Sequence, residues 1–258
     1  MVTTLYLVRH GETEGAEVRR YKGSIDVQLS ENGIRQMGQV AEYLNQNTVP
    51  HTHPAPSKGA GKEGGENHSN KLSAVYCSDL SRAIKSAEII AESHGLSPVI
   101  IPELRERNFG IWEGMSFDEI REKYPAEFES WANNPLKYSP MGGESTIEVR
   151  DRIIKALDKI LNNHNSQNTE YSPPTHPSPS RGEGKGGGGS PGLGVCALKS
   201  ERITIVAHGG VNRIILCHLL GIPLENIFRI EQDYAAVNII EFWDKYPVVK
   251  LINGIING

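Results

Sequence analysis

Short apolar runs alternate along the chain with stretches whose apolar residues recur at helical spacing, and this alternation predicts its elements. Residues 3–8 read as a buried β-strand with Leu5, Leu7 and Val8 in an apolar run, and it stops abruptly at Arg9, His10 and Gly11. Ser30 then reads as the N-cap of a helix through Leu44, with Ile34, Met37, Val40, Ala41 and Leu44 on one face. "SAVYCSD" is the next strand, "LSRAIKSAEIIAESHG" a helix closed by Gly95, and "PVII" a further strand. From Thr146 to Leu161 the residues Ile147, Ile153, Ile154, Leu157 and Ile160 are spaced for one apolar stripe. "RITIVAHGG" repeats the strand with a charged tip, "VNRIILCHLLG" follows as a helix, and "AAVNIIEF" and "VVKLING" read as late strands that pair with each other.

Strands alternating with helices predict an α/β layered fold with a largely parallel sheet, in which ligands bind at the carboxyl ends of the strands. Two segments interrupt the alternation. "HTHPAPSKGAGKEGGENHSN" at 51–70 and "SPPTHPSPSRGEGKGGGGSPGLG" at 172–194 are rich in Pro, Gly and Ser and nearly free of large apolar residues, so both are expected to be disordered. Copies of one pattern recur in them, since the fourteen residues from Thr52 match those from Thr175 at ten positions. A duplicated surface insertion explains this, because lengthening a loop costs little. The rest of the 258 residues is enough for one substantial core, and a single domain over 1–258 is expected.

Composition narrows the setting further. A net charge of -4 argues against a general nucleic-acid surface, and no apolar run approaches the roughly 20 residues of a spanning helix. Arg9 arrives too early for a signal peptide, so a cytoplasmic protein that binds neither nucleic acid nor membrane is expected. Cys77, Cys196 and Cys217 are odd in number and lack a C-x-x-C spacing, which supports neither a disulfide framework nor a thiolate zinc site. Cys77 and Cys217 read as core residues. No metal and no cofactor are expected.

The charged strand tips carry the chemistry. Arg9 and His10 end one strand, His208 ends another, and Arg82 opens the helix after a third. Gathered on one sheet edge, four groups able to carry positive charge would repel one another unless an anion lies among them. A phosphoryl group fits: arginine offers bidentate contacts, and glycines at 11, 209 and 210 would let backbone N–H groups approach closely. A neutral imidazole can attack phosphorus near neutral pH, and a carboxylic acid must then protonate the leaving oxygen. Glu103, Glu106 and Glu113 of "ELRERNFGIWEG" are all available for that, and nothing in the local pattern chooses among them. Trp112, Phe117, Phe128 and Trp131 read as packing beneath a substrate loop.

"LVRHGET", "SDLSRA", "LRERNFGIWEG", "GGES" and "VAHGGVNR", in that order, resemble the motif series of the histidine phosphatase superfamily, also called phosphoglycerate-mutase-like. The resemblance covers nearly the whole chain except the two insertions. It implies a three-layer sandwich with a mostly parallel central sheet, with His10 as phosphorylated nucleophile, Arg9 and Arg82 as phosphate clamps, and His208 as a second histidine on the phosphoryl group. It also implies Glu106 as proton donor, with Thr13, Lys22, Gly23 and Gly209 at phosphate or substrate contacts. One residue departs from the pattern: Ala16 stands where relatives commonly carry an asparagine that helps hold the phosphoryl group. Between "GIWEG" and "GGES" the chain lacks the paired-arginine lid associated with cofactor-dependent phosphoglycerate mutases. Hydrolysis of a small phosphorylated metabolite is therefore expected, in the manner of alpha-ribazole phosphatase and related enzymes, with alpha-ribazole 5'-phosphate as one candidate substrate. A mutase and a phosphate-ligand sensor without turnover are the alternatives.

Overall fold

A computed structural model describes residues 2–18, 20–46, 71–165, 200–243 and 246–256. Both insertions, at 51–70 and 172–194, lie outside the described residues, as does Cys196. The first strand, β1 (Val2–Arg9), is followed by α1 (Glu31–Gln46), β2 (Ala74–Cys77), α2 (Ser81–Glu92) and the short β3 (Val99–Ile100). Then come α3 (Phe117–Lys123), α4 (Pro125–Asn133), α5 (Thr146–Asn165), β4 (Ser200–Ala207), α6 (Gly209–Leu220), β5 (Val237–Trp243) and β6 (Tyr246–Gly254). The six strands form one sheet in the order β3-β2-β4-β1-β5-β6. β1, β2, β3 and β4 run parallel, whereas β5 runs antiparallel to both β1 and β6.

The layers follow from the twofold period of β1, because successive side chains leave a strand on opposite faces. Leu5 and Leu7 pack with Val149, Ile153 and Leu157 of α5 and Val211, Ile214 and Ile215 of α6. Tyr6 and Val8 pack on the other face with Met37, Val40 and Leu44 of α1 and Ala83, Ala87 and Ile90 of α2. Every one of these side chains is buried, so truncating Leu5 or Leu7 to Ala would cost about 2–5 kcal/mol. Helices cover both faces of a mostly parallel sheet, as the sequence predicts.

Local details separate from the sequence reading at three places. Ser30 does cap α1, accepting the Gly33 N–H at 3.0 Å, but Ile34 is exposed. Gly33 faces inward in its stead. A Cβ built on it would stand 2.0 Å from the Glu12 carbonyl oxygen, and one on Gly11 would stand 2.4 Å from the Gly33 oxygen. Gly11 is thus required for a backbone crossing over α1, not for the approach of an N–H to phosphate. "PVII" pairs through two residues only, and Val99 and Ile100 are exposed at the sheet edge. The α5 helix runs four residues past Leu161, and Val149 joins its buried stripe while Ile147 is half-buried. No helix among the described residues is long and apolar enough to cross a membrane.

Candidate active site

The parallel strands β1, β4 and β2 are neighbours, so their carboxyl ends deliver Arg9 and His10, His208, and Ser78 to one edge of the sheet. The antiparallel β5 contributes from its amino end. Arg9 N–H donates to the Ala236 carbonyl and Ala235 N–H to the His10 carbonyl, which sets Tyr234 beside both residues. The Arg9 guanidinium lies 3.9 Å from the Tyr234 ring centre and donates to the Gln232 carbonyl oxygen at 2.6 Å. Ala235 takes a left-handed φ of 56°, a conformation that costs a residue with a Cβ about 1 kcal/mol.

These residues open into a cavity of about 730 Å³. Arg9, His10, Thr13, Ala16, Lys22, Gly23, Arg82, Glu106, His208 and Gly209 all line it. Every residue that the motif resemblance implies for the site is therefore brought to one place, whereas Gly11 is not among the lining residues. Of the three glutamates left open, Glu106 alone among them faces the cavity. Glu113 accepts from the N–H and hydroxyl of Ser24 and the N–H of Phe109, which holds the loop behind Gly23. Glu103 is exposed.

His10 is 5% exposed, and its Nδ1 lies 2.7 Å from the Gly11 carbonyl oxygen. Its ring centre is 5.1 Å from that of His208, edge to face. Burial first, and then the charges of Arg9 and Arg82, push the His10 imidazole well below its ordinary pKa, against the Gly11 hydrogen bond that raises it. Burial also dominates at His208, followed by His10 and Arg82, and drives that pKa well down. Both rings are neutral near neutral pH, and a neutral ring has a lone pair to offer. The His208 Nε2 is 2.7 Å from the Ser78 hydroxyl, while its Nδ1 is buried with no partner among the described residues. An orphaned polar atom nine-tenths buried is costly, and a bound anion would satisfy it.

Arg82, on the first turn of α2, is 3% exposed and donates to the carbonyls of Gly23 and Ile25 at 2.7 and 2.8 Å. Asp26 accepts both the N–H and the hydroxyl of Ser81, so this loop is tied to the start of α2. The same wiring presents Lys22, whose ammonium donates to the Thr13 hydroxyl at 2.8 Å. Burial, then Arg82, lowers the Lys22 pKa.

Glu106 accepts the N–H of Gly210 at 3.0 Å and that of Arg107 at 2.9 Å. A Cβ on Gly210 would fall 2.5 Å from the Glu106 carboxylate, so Gly210 serves the approach of this side chain, not of phosphate. Its loop is held from α5. Arg152 donates to the carbonyls of Glu103, Arg105 and Glu106 and pairs with Glu144 at 2.7 Å. Arg105 in turn grips Asp79 through two bonds of 2.8 and 2.6 Å. Ser78, Arg152 and Tyr234 were not singled out from the sequence. Ser78 had a visible signal as a polar residue at a strand tip, whereas Arg152 and Tyr234 acquire their positions only through tertiary contacts.

The stretch between Gly114 and Gly142, to which periodicity assigned no element, forms α3 and α4. Ser116 caps α3 in a reciprocal pair with Glu119. Trp112 is buried as expected, and it lines the cavity together with Phe117, Phe128 and Trp131, which are less completely covered. Buried Cys77 takes no part, its thiol pKa pushed up to about 12, chiefly by burial.

Comparison with known proteins bears on the family and the fold. Phosphoserine phosphatase 1 of Hydrogenobacter thermophilus is 26% identical over 249 residues, covering 96% of this chain and 91% of that protein. A bifunctional protein of Mycobacterium tuberculosis is 35% identical over 252 residues, covering 97% of this chain but 54% of its own length, so the chain spans about half of that relative. The crystal structure of the alpha-ribazole phosphatase from Shigella flexneri superposes with a TM-score of 0.70 at 21% identity, covering 99% of this chain and 98% of that one, and shares its fold. The profile of the histidine phosphatase superfamily, branch 1, matches residues 5–62, 57–172 and 195–254. Strand tips, paired histidines and motif order thus have one common source: the chain belongs to the histidine phosphatase superfamily, branch 1.

Proposed function

We propose that this protein is a phosphomonoesterase that hydrolyses a small phosphorylated metabolite through a covalent phosphohistidine on His10. The observation that carries the reading is a buried, neutral His10 whose Nδ1 is committed to the Gly11 carbonyl, leaving Nε2 with its lone pair inside a cradle of Arg9, Arg82 and His208. In the first step Nε2 attacks phosphorus, the ester P–O bond breaks, and the leaving oxygen takes the proton of the Glu106 carboxyl. In the second, water attacks the phosphohistidine, the P–N bond breaks, and the Glu106 carboxylate takes the proton of that water. Arg9, Arg82 and the open Nδ1 of His208 bear on the phosphoryl oxygens, where charge develops. Thr13, Lys22, Gly23 and Gly209 line the approach, and Ala16 leaves one donor fewer there.

Hydrolysis is favoured over transfer between two oxygens of a phosphoglycerate by the state of the remaining arginines. A mutase must hold a second anionic end, yet of Arg20, Arg107 and Arg213, which line the rest of the cavity, Arg20 and Arg107 each donate two or more hydrogen bonds to protein acceptors, and the face made by Phe117 and Phe128 offers an anion no donor. The test is a panel of phosphomonoesters that includes O-phosphoserine, 3-phosphoglycerate and alpha-ribazole 5'-phosphate, read for inorganic phosphate with and without EDTA. Phosphate release without any activator, unchanged by EDTA, is expected. Isomerisation that depends on 2,3-bisphosphoglycerate without phosphate release, or tight binding without turnover, would replace this reading.

A further inference from the structure

Away from the phosphoryl end the cavity is built of different material. Phe117 of α3 and Phe128 and Trp131 of α4 form one aromatic group, with ring centres 5.0 Å apart for Phe117 and Phe128, 5.5 Å for Phe128 and Trp131, and 6.1 Å for Phe117 and Trp131. All three residues line the cavity, together with buried Ile120 and the exposed Val18 and Phe228. This wall is only partly closed over: Phe117 remains 43% exposed and Phe228 76% exposed. A contiguous apolar surface left facing a cavity marks a place where a ligand removes it from water.

The arginines on the same wall are engaged to different degrees, Arg20 and Arg107 through several hydrogen bonds each and Arg213 through Nε alone. Arg20 holds Glu119 through two bonds of 2.6 and 3.0 Å and also donates to the Gly114 carbonyl. Arg107 donates to the carbonyls of Glu144 and Tyr138 and to the Thr146 hydroxyl. Arg213 donates to the Ile230 carbonyl and faces Glu231 at 3.8 Å. A carboxylate on the leaving group would compete with the acceptors already held by Arg20 and Arg107 and would meet unengaged N–H groups chiefly on Arg213, whereas an apolar group would simply cover the rings. The geometry points to phosphomonoesters of apolar alcohols, bearing an aromatic or branched aliphatic group, as the substrate class of this site, in preference to esters of amino acids or hydroxy acids. The inference rests on the phosphomonoesterase reading.

Three alkyl esters separate recognition from leaving-group reactivity: 2-phenylethyl phosphate, ethyl phosphate and O-phosphoserine, compared by kcat/KM with the full chain. Covering a phenyl group favours binding by about 10- to 100-fold. 2-Phenylethyl phosphate should therefore exceed ethyl phosphate by about that factor, with O-phosphoserine no better than ethyl phosphate. Trp131→Ala should lower the phenylethyl-to-ethyl ratio about tenfold. Phe117→Ala, at a half-exposed ring, should lower the same ratio and serves if the first variant does not fold. A ratio near one, or a preference for O-phosphoserine, overturns the inference and leaves the phosphatase reading standing. No phosphate release from these esters or from an aryl phosphate overturns both.

Discussion

The Nδ1 of His10 stands 2.7 Å from the carbonyl oxygen of Gly11, an atom that can only accept a hydrogen bond. The proton of the neutral ring is therefore on Nδ1, and the lone pair is on Nε2. Acid quench during turnover of a labelled ester should trap phosphate on His10, bonded at Nε2, and His10→Ala should lose at least about 10³-fold in kcat. Mass spectrometry of the trapped peptide, with phosphorus NMR for the linkage, checks both. Label at Nδ1, or on another residue, would refute the assignment.

Glu106 should act on the leaving oxygen, and its effect should depend on how much that oxygen needs a proton. Glu106→Gln is expected to slow phosphoenzyme formation by about 10²–10⁴-fold for an alkyl ester and far less for an aryl ester, whose ring delocalises the departing charge. Single-turnover rates on the two esters measure this. A selective loss appearing in Glu113→Gln instead would transfer the role to that carboxyl.

Ser78 should act through His208. Its hydroxyl, 2.7 Å from Nε2, orients a ring whose Nδ1 is otherwise unsatisfied. Ser78→Ala is expected to lower kcat by about 10- to 100-fold with little change in KM, and to cost about 1–3 kcal/mol of stability by leaving a buried ring nitrogen without a partner. Nitrogen NMR of His208 should show its tautomer balance altered. A variant with an unchanged His208 spectrum and full kcat would mean that the contact is packing alone.

Stability should fall on the acid side because of the two buried imidazoles. His10 and His208 are held well below the ordinary value of about 6.5, so below that pH the unfolded chain binds protons that the folded protein refuses. Each contributes a slope of up to about 1.4 kcal/mol per pH unit as the pH falls from about 6.5 toward its folded pKa, and none well above 6.5. Urea midpoints at pH 7.5, 6.5, 5.5 and 5.0 should decline, and His10→Gln should decline less steeply because the carboxylates are common to both proteins. Parallel curves would contradict the neutral, buried state of His10.

Much of the molecule is local information. The apolar run in residues 3–8, buried on both faces of the sheet, and the apolar stripes at Met37, Val40 and Leu44 and at Ile153, Leu157 and Ile160 specify strand and helices, since burial is written directly into which positions are apolar. The polar tips at Arg9-His10 and at His208 identify the functional edge for the same reason: each puts a group able to bind an anion at the end of a buried strand. What tertiary structure alone decided was which distant groups meet. Glu106 is held at the cavity, where Glu103 and Glu113 are not, by the Gly210 N–H, 104 residues away in sequence. Tyr234 reaches Arg9 only because β5 runs antiparallel to β1, and Ser78 meets His208 only because β2 and β4 are neighbours. Ile34 is exposed, against its own periodicity, because Gly33 must lie against the Glu12 backbone. The aromatic wall of α3 and α4 likewise had no periodic signature, being two short helices joined at Tyr124 whose rings find their place by contact with one another. Spacing encodes which face of an element is buried, while strand order and register determine what that face is buried against, and no pattern confined to one element carries that second quantity.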